Sequence, residues 1–102
     1  MKPPADEVVR QLEAQLHDLM RERSGNLMAE HGLEPPALAG TTPTNGNPCW
    51  FPVPGMHGGF RYWYESTENP VRLLCDSWCR VVGGSEQRHE ITVAGIRLVS
   101  EG

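Results

Sequence analysis

The sequence predicts an α+β fold: one long N-terminal helix packed on a four-stranded antiparallel meander. Apolar residues recur at helical spacing through the first 30 or so positions and at spacing two from Phe60 onward. Between these regions lies a stretch rich in proline and glycine, where no period survives. All seven aromatic residues fall between Trp50 and Trp78, which places the centre of packing in the second half. A chain of 102 residues suits one domain, 1–102, made of a helix at 5–31, a connection at 34–58 and a meander at 60–99.

The helix opens at Pro3-Pro4-Ala5-Asp6-Glu7, where proline fits the first turn and acidic side chains favour the positive end of the dipole. Val8, Val9, Leu12, Leu16, Leu19 and Met20 then fall on one stripe. Leu27 continues the stripe beyond Ser24-Gly25-Asn26, a weak point that bends or breaks the helix near Gly25. Gly32 suits the left-handed position that closes a helix, and Pro35 stops the chain soon after. Arg23 lies within the stripe's angle near its end, so either the stripe stops near residue 20 or Arg23 snorkels. The stripe fits the sheet or, alternatively, a second copy in a homodimer.

Cys49-Trp50-Phe51-Pro52-Val53-Pro54-Gly55 is apolar but cut by prolines, which marks an edge segment or packed loop. Phe60, Tyr62 and Tyr64 share the face of the first meander strand opposite Arg61 and Trp63. Residues 71–82 read as one long strand with Val71, Leu73, Cys75, Ser77, Cys79 and Val81 on the apolar side. His89, Ile91 and Val93 continue that side in a third strand, and Ile96 and Leu98 in a fourth. Turns at 66–69, around Ser85 and at Ala94-Gly95 pair Tyr62 with Leu73, Cys79 with Ile91 and Ile91 with Leu98, keeping the apolar sets on one face. Ala94 is a poor residue for a tight primed turn, so a bulge that shifts the last register is expected.

The same alternation puts Arg61, Trp63, Arg72, Trp78, Arg80 and Arg88 on the back of the sheet, with Asp76 among them. Tryptophan beside arginine is the composition of interface hot spots rather than of a wetted sheet face. These pairings set Trp63 over Arg72 and Arg80 opposite Glu90. The alternative is that segment 34–58 folds back and covers the tryptophans.

The net charge of -4 argues against nucleic acid as partner, because phosphate binding needs a basic excess. No apolar run approaches the ~20 residues of a membrane span. Eight of the nine cations are arginine, as a high-GC coding source would give. Three cysteines make no even disulfide set, and Met1–Glu7 lacks a signal-peptide core, so free thiols in the cytoplasm are expected. On a strand, Cys75 and Cys79 lie ~13 Å apart, too far to share a metal; no metal site or cofactor is expected. The first functional expectation is a non-catalytic binding or regulatory protein with a protein partner on the Trp/Arg face. The alternative is a small enzyme or ligand-binding domain whose site gathers Cys49, His57, Ser85 and His89 at the loops around 49–59 and 83–89.

Overall fold

The computed structural model describes residues 6–38, 47–65, 71–79 and 85–102. Its order is α1 (Asp6–Ser24), α2 (Leu27–Glu30), β1 (Cys49–Val53), β2 (Gly58–Tyr64), β3 (Leu73–Trp78), β4 (Glu86–Thr92) and β5 (Gly95–Glu101). The class is α+β, with one long helix and an antiparallel sheet. The sheet has five strands in sequence order rather than the four expected, because Cys49–Val53 joins at its edge. Pro52 can sit in β1 because an edge strand does not need every N–H paired.

The helical period holds where the stripe is apolar. Val9, Leu12, Leu16, Leu19 and Met20 are buried, so the stripe is used on the chain's own sheet. Gly25, at φ +59°, ends α1. The one-turn α2 closes with Gly32 at φ +64°, its N–H donating to Ala29 and the Leu33 N–H to Met28, the paired bonds of a Schellman motif. The chain then doubles back along α1: His17 Nε2 lies 2.6 Å from the Pro36 carbonyl, and the Leu38 N–H donates to Glu13. Leu38 is buried in the core there, so residues 33–38 cover the helix and not the back of the sheet.

The facing expected of the strands survives, but the registers move by even numbers of residues. Tyr62 pairs with Cys75 instead of Leu73, Ile91 with Leu73 instead of Cys79, and Ile96 with Ile91 instead of Val93. An even slip keeps every side chain on its face, so alternation alone could not detect it. β3 runs only from Leu73 to Trp78, shorter than the 71–82 strand expected. The last turn is Val93-Ala94, with Gly95 at φ +130° following it, and the bulge lies at Arg88/His89. Val93 is therefore exposed in a turn. Ile96 and Leu98 keep their face but are exposed as well, because α1 lies over β3 and β4. The core joins the α1 stripe to Val53, Met56, Phe60, Tyr64, Leu73, Cys75, Cys79 and Ile91.

Arg23 neither ends the stripe nor simply snorkels. Its Nε donates to Ser77 Oγ at 2.9 Å and its Nη2 to the Ser85 carbonyl at 2.8 Å. At the other end of the interface, Gln15 Nε2 donates to the Thr92 carbonyl at 2.7 Å. Two side chains, two turns apart on α1, thereby set the helix along the sheet.

Candidate functional site: the tryptophan and arginine face

The back of the sheet is organised by one transverse row: Trp50, Arg61, Asp76, Arg88 and Ser100 pair in turn across all five strands. Asp76 is its centre, with 1% of its surface exposed. Arg61 donates to it through Nε (3.2 Å) and Nη2 (2.5 Å), and Arg88 through Nε (2.6 Å) and Nη2 (2.9 Å). Burial pushes the Asp76 carboxyl up, but the bonds and charges of Arg88 and Arg61 outweigh it and hold the group below the usual carboxylate range. The Asp76 bond is likewise the main cause that raises Arg88.

One carboxylate thus fixes two guanidinium groups, and these in turn order the indoles. Arg61 Cζ lies 5.3 Å from the centre of the Trp50 ring and 5.6 Å from that of Trp63, and Arg88 Cζ lies 5.1 Å from Trp63. These separations are within the range of cation–π attraction. Trp50 meets Trp78 edge to face at 5.8 Å, and the Trp63 indole N–H donates to Glu65 at 2.8 Å. Trp78 lies close because residue 58 is glycine: a Cβ there would stand 2.1 Å from the Trp78 carbonyl oxygen and 2.5 Å from its ring. A cleft of about 220 Å³ opens between Pro48, Arg61, Trp63 and Arg88.

A second triad lies beside the first. Glu90 accepts from Arg72 at 2.7 Å and faces Arg97 at 3.4 Å. Arg72 therefore does not stack on Trp63, which is paired with Leu74. Arg80, expected opposite Glu90, lies outside the described residues, and Glu90 takes Arg72 and Arg97 instead.

Of the expected binding residues, the structure brings Arg61, Trp63, Trp78 and Arg88 together and puts Arg72 in the neighbouring triad. Sequence reasoning missed Trp50 and underrated Asp76. The prolines around Trp50 hid its strand parity, whereas a lone charge within the largely apolar β3 was a readable signal. Segment 47–54 does not fold back over the tryptophans. As β1 it adds Trp50 to their face, 61% exposed.

The residues of the alternative site are dispersed. Cys49 and His89 share a transverse row with Tyr62 and Cys75, but three strand spacings separate them, about 14 Å. His57 is exposed in the β1–β2 turn at φ +55°, at the opposite end of β1 from Cys49. Ser85 precedes β4, and its carbonyl is held by Arg23. The cysteine that His89 does face is Cys75, a fully buried thiol pushed up to about 12 by burial, with the Asp76 charge adding to it. Among the described residues no group of three His, Cys, Asp or Glu side chains is placed to hold a metal ion, and no helix is long and apolar enough to cross a membrane. In comparison with known proteins, the chain matches no protein-family model, no curated protein and no solved structure.

Proposed function

We propose that this chain is a small non-catalytic binding module that engages a protein partner through the Trp/Arg face of its sheet. The observation that carries the reading is Trp50, a largely exposed indole stacked on an arginine that a buried carboxylate already holds. Tryptophan and arginine dominate the energetics of protein interfaces. Side chains ordered before binding lose little entropy when a partner arrives. Arg61 and Arg88 each spend Nε and Nη2 on Asp76 and keep Nη1 for a partner's carboxylate or carbonyl. The cleft by Pro48 is of a size to take one side chain. A cytosolic setting with reduced thiols accompanies this reading.

The test compares proteins captured from the native source by the wild type and by Trp50→Ala. The side chain is exposed, so the variant is expected to keep its circular dichroism spectrum and melting temperature. Selective loss of a captured protein, with that protein then binding the purified wild type at least tenfold more tightly than the variant, supports the reading. Identical capture by both variants, or equal affinities, overturns it.

A further inference from the structure

Among the described residues β1 and β5 have no strand beyond them, and the two edges differ in a way that bears on self-association. At one edge, β1 contains Pro52 and is flanked by Pro48 and Pro54. Proline gives no N–H to a neighbouring strand, so this edge is blocked. At the other edge β5 runs for seven residues, Gly-Ile-Arg-Leu-Val-Ser-Glu, with no proline and no lysine. Among the described residues the exposed large apolar side chains are Trp50, Val93, Ile96, Leu98 and Val99, so four of the five lie on the β4–β5 hairpin. Those four are between 40% and 51% exposed. Apart from the bulge opposite Arg88/His89 and the charges of Arg97 and Glu101, nothing among the described residues guards this edge, although proteins ordinarily protect a long strand edge with exposed apolar side chains.

We propose that β5 pairs with β5 of a second copy of this chain, antiparallel across a two-fold axis, so that two sheets join into one. Three features of the sheet edges select a second copy over other occupants. The unsatisfied groups belong to a strand edge, so the occupant is itself a strand. The chain supplies such a strand in β5, and antiparallel self-pairing brings the end that carries Arg97 against the end that carries Glu101, so like charges do not oppose one another. With the β1 edge closed by proline, each copy has one open edge among the described residues, and association stops at a closed dimer instead of growing into a fibre. The β5 edge adjoins the Trp/Arg face through Ser100 and Arg97, but the proposal does not rest on the function proposed for that face.

The test is the mass of the full chain in solution, by light scattering and sedimentation, from low micromolar up to about 100 μM, some hundredfold above a micromolar Kd. A dimer that dissociates on dilution is expected. The doubly substituted Leu98→Lys/Val99→Lys chain places like charges on both sides of the axis and is expected to be monomeric at every concentration. Amide exchange on the wild type gives a second readout that needs no variant: β5 amides that point away from β4 are expected to exchange at least tenfold more slowly in concentrated than in dilute protein. A wild type that is monomeric throughout overturns the proposal. So does a dimer that persists in the folded double variant, or a dimer with no concentration-dependent protection in β5, since either places the contact elsewhere.

Discussion

At the scale of the residue, the buried Asp76 and the half-buried His89 set opposite demands on the fold. Asp76 is stabilised as an anion by four guanidinium hydrogen bonds. Removing it leaves Arg61 and Arg88, which are 31% and 41% exposed and so partly rehydrate. Asp76→Ala is therefore expected to lower unfolding free energy by about 2 kcal/mol in a urea titration, less than a fully buried pair would cost. Its carboxyl lies below the usual range in the fold, so its contribution is complete at neutral pH and is lost as pH falls below about 4. His89 acts at higher pH. Burial, with the charge of Arg23 beside it, lowers its pKa against the opposing pull of Glu22 and Glu101, and its Nδ1 is buried without a hydrogen-bond partner among the described residues. The unfolded chain binds the proton more readily than the folded one, so stability is expected to fall as pH drops from 7 through about 6.5 toward 5. Denaturation midpoints across that range check this, and His89→Gln is expected to flatten the slope.

At the scale of the element, the helix is bound to the sheet by an apolar stripe and positioned along it by two polar contacts. Arg23 reaches Ser77, which is fully buried on the core face of β3. Cutting the side chain back leaves that hydroxyl without its donor and frees the Ser85 carbonyl ahead of β4. Arg23→Ala is expected to cost about 2 kcal/mol by chemical denaturation, with Arg23→Lys recovering only part because a single ammonium lacks the planar fork that serves both acceptors. Gln15, the other contact, is worth less, since it meets a carbonyl near the solvent-exposed hairpin end.

At the scale of the whole molecule, the thiols report how the fold opens. Cys49 is exposed, whereas Cys75 and Cys79 are buried in the core. An aromatic disulfide reagent at neutral pH is expected to label Cys49 at once and the other two only as fast as the molecule unfolds, so that Cys49→Ser abolishes the rapid phase. Destabilising variants such as Asp76→Ala are expected to speed the slow phase by up to about tenfold for each 1.4 kcal/mol of stability lost.

Much of this architecture is legible in the sequence. The helix, its break at Gly25, its close at Gly32 and the inward side of β2 to β4 follow from local spacing, because a side chain's direction on a helix or strand is fixed by its place in the repeat. The fifth strand was legible only as an edge segment, since the prolines of 48–54 obscure strand parity while an edge still tolerates them. The candidate site was half legible: alternation put Arg61, Trp63, Trp78 and Arg88 on one face, but their contacts depend on pairing distance. A two-residue slip is invisible to a period of two, yet it carries Arg61 from Leu74 to Asp76 and turns a row of separate side chains into a triad.

The sequence by itself determined which residues point inward, because burial of apolar surface enforces the periods of 3.6 and 2 locally. Only the tertiary structure decided which residues meet, because strand register is settled by the combined packing of the helix, the turns and the buried Asp76, and none of these is a property of any one segment.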